Sequence, residues 1–333
     1  MSVGIKAIEY ELPAKKLTNK NLEELYGDWS AEKIYNKTGI RERRIASEDE
    51  CASDLAERAA KKLFDSGVIT PKEIDFIILA TQSPDYILPT TACLLQHRLG
   101  IPTSAGAFDF NLGCSAYIYG LLLSKSLIIT NAAKNILLIT ADTYSKYIHP
   151  MDKSTRTIFG DAAAATLIGG GGHEIGDFDL GTDGSGKDML LIPAGGTRLP
   201  QSEETCVEIN DNGSIRTLNN LYMDGAEIFN FALRVVPNSV SRILKKHNLN
   251  MDEIDLFIFH QANKFMLDFL RKKMLIPENK FYINIEDIGN TVSSSIPIAL
   301  KRAEQEVKLQ KGDKILLCGF GVGLSWGSTI ITY

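Results

Sequence analysis

No stretch of this chain approaches the ~18 uninterrupted apolar residues that a membrane-spanning helix needs, so a membrane protein is not expected. Nor is there a basic block. The 36 Lys and Arg are outnumbered by 41 Asp and Glu, leaving a net charge of −5. A nucleic-acid partner is therefore not expected either. The five cysteines (51, 93, 114, 206 and 318) are odd in number and show no C-x-x-C spacing. That argues against a disulfide framework or a structural zinc site, and for a reducing, cytoplasmic setting. The five histidines (97, 149, 173, 247 and 260) form no H-x-x-x-H pair, so no metal site is expected. The opening Met1-Ser-Val-Gly-Ile-Lys-Ala-Ile-Glu-Tyr10 has no charged-then-apolar leader pattern, and secretion is not expected.

What remains is an ordinary globular composition, with 44% hydrophobic and 23% charged residues over 333 positions. That length predicts about two domains. Within it, one stretch stands out: Ala107-Phe-Asp-Phe-Asn-Leu-Gly-Cys-Ser-Ala-Tyr-Ile-Tyr-Gly120. A strand-like run reaches a tight turn at Gly113, then Cys114, then an almost wholly apolar helix from Ala116 to about Ile129. An isolated cysteine is more commonly a small buried hydrophobe. The strand–Gly–Cys–helix order is what singles this one out, because serine hydrolases mount their nucleophile on the same kind of turn. At a helix N-terminus the macrodipole and unpaired N–H groups favour thiolate over thiol, so Cys114 is expected to be a thiolate nucleophile.

The chain also repeats itself. Lys72-Glu-Ile-Asp-Phe-Ile-Ile-Leu-Ala80 parallels Asp252-Glu-Ile-Asp-Leu-Phe-Ile-Phe-His260, an offset of 180. Asn135-Ile-Leu-Leu138 parallels Lys314-Ile-Leu-Leu317, an offset of 179. The first pair follows amphipathic helices expected at 52–66 and 226–247, and the second follows helices expected at 116–131 and 297–310. A near-constant offset means two related α/β halves. The glycine run Gly169–Gly172 marks the boundary, giving halves 1–172 and 173–333. Continuous apolar runs such as Ile254-Asp-Leu-Phe-Ile-Phe259 suit parallel strands covered on both faces. The polar stretch from Pro193 to Asn220 reads as a loop or hairpin of open role.

In parallel α/β sheets, chemistry gathers beyond the carboxyl ends of strands. That rule selects Cys114 in the first half. In the second it selects His260, and Gly289-Asn290-Thr291 after the expected strand Phe281–Ile285. Asn290 lies 176 residues beyond Cys114, close to the repeat. If the halves pack about a pseudo-two-fold axis, Cys114, His260 and Asn290 meet near it.

Six motifs now stand in order along the chain: Lys37-Thr-Gly-Ile-Arg41, Phe108-Asp-Phe-Asn-Leu-Gly-Cys-Ser-Ala116, Phe159-Gly-Asp161, His260-Gln-Ala-Asn263, Gly289-Asn-Thr-Val-Ser-Ser-Ser-Ile-Pro297 and Gly319-Phe-Gly-Val-Gly-Leu-Ser-Trp-Gly327. Together they resemble the β-ketoacyl-acyl-carrier-protein synthase III family over essentially the whole chain. The resemblance implies a thiolase-like fold, two duplicated α/β halves in five layers, α-β-α-β-α. It implies a decarboxylative Claisen condensation. Cys114 takes an acyl group from a CoA or carrier-protein thioester, and a malonyl thioester then loses carbon dioxide to give an attacking enolate. His260 and Asn290 would donate hydrogen bonds to the enolate oxygen. The backbone N–H groups of Cys114 and Val322 would form the oxyanion hole, with Gly321 and Gly323 permitting close approach. Carrier contacts map to Lys33, Lys37, Lys153, Asn263, Lys264 and Phe265, and the tip of the primer pocket to Leu88. No cofactor is implied beyond the thioester substrates, and the family is homodimeric.

Three departures touch substrate rather than chemistry. Lys33 stands where the fatty-acid-initiating enzymes stack a Trp on the CoA adenine, with Trp29 a helical turn earlier. Phe265 replaces a carrier-docking Arg, beside Lys264, with Arg271, Lys272 and Lys273 further along the same expected helix. Leu88 replaces a common Phe, which would admit a longer or branched primer. Cys318 is expected to be a core residue. Where 3-hydroxy-3-methylglutaryl-CoA synthases carry a catalytic Glu, this chain has Gln82, an amide that cannot serve as acid or base. Two other classes stay open on sequence. One is an acyltransferase passing the Cys114 acyl group to an oxygen or nitrogen nucleophile, and the other a non-catalytic binding subunit.

Overall fold

The computed structural model describes residues 2–306 and 309–333. Among these, ten strands make one mixed sheet: β1 (Val3–Glu11), β2 (Phe76–Ala80), β3 (Gly106–Phe110), β4 (Ile136–Asp142), β5 (Ala162–Gly170), β6 (His173–Thr182), β7 (Leu256–Phe259), β8 (Phe281–Tyr282), β9 (Lys314–Gly321) and β10 (Ser325–Thr332). Their order is β8-β7-β9-β10-β6-β1-β5-β4-β2-β3. The order is a mirror about its centre: each strand of the first five has its counterpart five labels later. The two five-stranded parts join through a short antiparallel pairing, Gly4 with Glu174 and Ile5 with His173. In each part the three strands flanking the site are parallel and the other two antiparallel, so the all-parallel expectation holds only for the functional edge.

The helices are α1 (Asn19–Tyr26), α2 (Ala31–Thr38), α3 (Ala52–Asp65), α4 (Thr91–Arg98), α5 (Ala116–Ile129), the single turn α6 (Lys153–Arg156), α7 (Gly225–His247), α8 (Lys264–Lys273) and α9 (Ser295–Glu306). α3 and α4 cover one outer face and α7 and α8 the other, while α5 and α9 lie between the two half-sheets. This is the α-β-α-β-α order that the resemblance implies. The middle position explains the composition of α5. A helix walled by sheet on both sides is apolar all round, and Gly120 brings its backbone against Leu138, where a Cβ would sit 2.6 Å from Cδ1.

The duplication reaches individual hydrogen bonds. Thr70 and Asn250 donate their N–H groups to Glu73 and Glu253, at 3.0 and 2.8 Å, closing equivalent turns before β2 and β7. Asp75 accepts the Asn135 N–H at 2.9 Å, and Asp255 accepts the Lys314 N–H at 2.8 Å. Each aspartate ties one parallel strand to the start of the next.

Two expected elements differ. β8 ends at Tyr282 rather than Ile285, because the Asn284 N–H goes to the Gln261 side chain at 2.6 Å instead of to a neighbouring strand. α9 begins at Ser295, two residues before Pro297, which a first-turn position tolerates because its N–H has no intrahelical partner there. Of the expected 297–310 helix, positions 307 and 308 lie outside the described residues. The Pro193–Asn220 stretch contains a hairpin, Ile209–Asp211 with Ser214–Arg216, turned by Asn212 and Gly213 at φ 52° and 83°. It is fastened beside α6 by Ser214 Oγ on Asp152, at 2.6 Å.

Candidate active site

Cys114 lies four residues beyond β3, on the turn entering α5. Two glycines of β9 press against it. A Cβ on Gly319 would come within 2.8 Å of the Cys114 carbonyl oxygen, and one on Gly321 within 3.0 Å of the sulfur. The sulfur therefore fits only because residue 321 has no side chain. We expect Gly321→Ala to slow acylation of Cys114 and to cost about 1–3 kcal/mol of stability through overpacking. Acylation followed by intact mass, beside thermal melts, reads both; unchanged rate and melting temperature would show the contact to be slack.

The sequence predicts a thiolate at Cys114, and the structure corrects this. The residue is buried, 6% exposed, and burial pushes its thiol up, with the Asp142 charge acting the same way and a local backbone hydrogen bond offsetting only in part. The helix cannot reverse this as drawn from sequence. α5 starts at Ala116, one residue past its N-cap Ser115, so Cys114 stands outside the helix. The first N–H groups are also spoken for: Ala116 donates to Gly113 O, and Ile118 and Tyr119 to Ser115 O, at 2.9, 3.1 and 3.4 Å. Ser115 Oγ also meets Ser325 Oγ at 2.7 Å, joining the nucleophile turn to the glycine-rich loop that carries Val322.

His260 directly follows β7, whose backbone pairing with β9 continues through the His260 N–H to Cys318 O at 2.8 Å. Its ring is buried, and burial pulls its pKa down to about 3, so the imidazole is neutral at working pH. Nδ1 lies 2.7 Å from Ser295 Oγ, which already accepts the Gln261 N–H. We assign the serine proton to Nδ1, which leaves the ring hydrogen on Nε2. Asn290 faces that nitrogen with its side-chain Nδ2, at 3.4 Å. The amide is oriented by the Val292 N–H, which donates to Asn290 Oδ1 at 2.9 Å. Val292 holds φ at +53°, a strained value for a β-branched residue and one kept at the site itself. The result is two hydrogen-bond donors aimed at one point.

Cys114, His260, Asn290 and Asn263 line a single cavity, with Phe159, Leu190, Met223, Ile228, Met266 and Phe320 among its apolar walls. In that surround, hydrogen bonds to a developing oxyanion act at low dielectric. Asn263 also caps α8, its Oδ1 accepting the Met266 N–H at 2.8 Å. Val322 packs over the nucleophile turn, with its Cγ1 at 2.8 Å from a Cβ position on Gly113. Cys318 is wholly buried in the core. Among the described residues no group of three or more His, Cys, Asp or Glu is placed to hold a metal ion.

The remaining candidates lie away from the cavity walls. Lys33 and Lys37 place their ammonium groups 4.9 and 4.8 Å from the Trp29 ring, so the indole is already engaged by both cations. Lys153 is nearly buried and holds both Asp28 oxygens, at 2.7 and 2.8 Å, pinning α6 to the end of α1. Lys264 pairs with Asp268, and Lys273 is turned to the Leu233 carbonyl. Phe265 is 60% exposed and stacks on Phe229 at a centroid distance of 5.5 Å. Leu88 is 80% exposed at a loop tip, next to Ile87 at 97%.

Two supports were not read from sequence. Ser295 stands inside a quoted motif, yet its contact with His260 spans 35 residues. Asp142, at the end of β4, has no motif around it.

A family model for 3-oxoacyl-[acyl-carrier-protein] synthase III matches residues 108–184, and one for the C-terminal part of that enzyme matches 244–333. The β-ketoacyl-[acyl-carrier-protein] synthase III of Caldanaerobacter subterraneus subsp. tengcongensis is 40% identical, covering 100% of this chain and 98% of its own. That of Clostridioides difficile is also 40% identical, over 99% of this chain and 98% of its own. A crystal structure of a 3-oxoacyl-(acyl-carrier-protein) synthase III superposes with a TM-score of 0.98 at 52% identity, covering 100% of both chains.

Proposed function

The chain belongs to the 3-oxoacyl-[acyl-carrier-protein] synthase III family, and from that premise we propose how its site performs the condensation. The enzyme is an acyltransferase of the condensing type. Cys114 Sγ attacks the carbonyl of an acyl thioester, the carbon–sulfur bond to the carrier breaks, and the thiol proton leaves with the departing carrier thiol. A malonyl thioester, carried by acyl-carrier protein, then takes the vacated place. Its carboxylate–Cα bond breaks and carbon dioxide departs. The electron pair moves onto the thioester oxygen, between His260 Nε2–H and Asn290 Nδ2–H. The enolate carbon attacks the acyl-cysteine carbonyl, whose oxyanion is held by the N–H groups of Cys114 and Val322. Collapse expels the Cys114 sulfur, which regains a proton, and a β-ketoacyl thioester is released.

What carries this reading is the convergence of one thiol and two neutral donors on an apolar cavity. A charged carboxylate is poorly served there and neutral carbon dioxide is not, while the enolate oxygen finds preset donors.

A homodimer fits the same reading. Tyr86, Ile87 and Leu88 expose three consecutive apolar side chains, and β3 ends the sheet order with its outer edge free among the described strands. Leu88 would then cap a partner's primer pocket, and its non-aromatic tip leaves room for longer or branched acyl groups. Among the described residues no helix is long and apolar enough to cross a membrane. A reducing cytoplasm suits five free cysteines.

The test is intact mass of the protein after exposure to acyl-CoAs of graded length and branching, then malonyl-acyl-carrier protein. The acyl mass should appear on Cys114 and then discharge with one carbon dioxide per turnover. Discharge onto an oxygen or nitrogen nucleophile without carbon dioxide would overturn condensation. No mass shift with any acyl-CoA would mark a binding subunit, and acylation by acetyl alone would refute the wider pocket.

A further inference from the structure

Asp142 ends β4 with no exposed surface, and among the described residues none of the groups it touches is cationic. Its Oδ1 accepts the Gln82 N–H at 2.8 Å. Its Oδ2 accepts the Ser293 N–H at 3.3 Å and the Ser293 hydroxyl as well. These bonds run to opposite halves of the chain and to opposite sides of the site.

On the nucleophile side, Gln82 braces the turn that presents Cys114. Its Nε2 donates to Asn111 Oδ1 at 2.8 Å, and its Oε1 accepts the Tyr144 hydroxyl. That oxygen sits 2.5 Å from where a Cβ on Gly113 would stand, so the amide leans directly on the residue before Cys114. On the donor side, Ser293 lies in the one-turn helix Val292–Ser294. The Val292 N–H orients the Asn290 amide, and Ser295, two residues past Ser293, meets His260. One carboxylate thus anchors both ends.

We propose that Asp142 is a positioning residue that registers the Cys114 turn against the His260–Asn290 donor pair. This rests on the condensing reading given above. Burial raises the Asp142 carboxyl to about 7, against the Ser293 and Gln82 hydrogen bonds, with the Asp161 charge adding to the rise. Cys114, Tyr144 and Tyr147 are the other titratable groups facing it. Between the ordinary carboxyl range and pH 7 the folded protein keeps a proton there that the unfolded chain has lost. Stability from this group therefore declines as pH rises through that window.

The test uses Asp142→Asn and Ser293→Ala in the full-length enzyme. The melting temperature of Asp142→Asn should gain on the parent's from pH 5 to pH 8. Both variants should lose about 10- to 100-fold in kcat for condensation with little change in KM, as the donors lose register. Should Asp142→Asn fail to fold, Ser293→Ala still decides the positioning claim by that split. Full kcat in either variant would overturn the proposal. Absence of carbon dioxide release from the parent would instead overturn the condensing reading.

Discussion

Cys114→Ala is expected to take up no acyl group from any acyl-CoA, its intact mass staying that of the free protein. No other thiol stands in for it. Cys318 is wholly buried in the core, and Cys51, Cys93 and Cys206 do not line the cavity. The loss should be complete rather than graded, because the covalent intermediate has no alternative nucleophile. Fold should survive, since removing one sulfur from a 6%-exposed site takes away little apolar contact, of order 1 kcal/mol. An Ala variant that still condenses acyl and malonyl thioesters would sink the assignment of Cys114 as nucleophile.

His260→Ala and Asn290→Ala are expected to divide the reaction differently. Each should acylate normally and lose about 10²–10³-fold in malonyl decarboxylation, the usual cost of one oxyanion-hole donor. Because both donors hold the same oxygen, the double variant should lose less than the product of the two single losses. Single-turnover carbon dioxide release from pre-acylated enzyme separates the steps. The pH dependence adds a signature. With its pKa pulled down to about 3, His260 stays neutral through pH 5–9, so its protonation contributes no acid limb near the ordinary histidine value. An acid limb near 6.5 that vanishes in His260→Ala would mean that the ring ionises, contrary to its burial. Loss of acylation in either variant would show that these groups serve the first step too.

Much of this site could be read in sequence because its carriers are local. Cys114 announces itself by a strand, a glycine and an apolar helix within a few residues, and His260 by ending an apolar run. Asn290 followed from the repeat, since duplicated halves put equivalent strand ends at one axis. Four helices were legible by their apolar spacing, with starts displaced by one or two residues at Gly225, after its N-cap Asp224, and at Ser295. The supports were not legible. Ser295 reaches His260 across 35 residues, and Asp142 reaches Ser293 across 151. A serine or aspartate carries no periodicity that betrays such a partner. Charge was legible only as charge. Lys153 is expected as a carrier contact, yet in the fold it is held by Asp28, and Lys264 by Asp268.

The ionisation of Cys114 shows the division most sharply. Sequence alone determined that a thiol would stand at the end of a strand before a buried helix, in one of two repeated halves, opposite a histidine and an asparagine. Only the tertiary structure decided its protonation state. A helix N-terminus is a local feature, readable from residue order. Burial and the Asp142 charge arise where chain segments far apart in sequence close around the sulfur. Electrostatic energy depends on distance and dielectric in three dimensions, and neither is written along the chain.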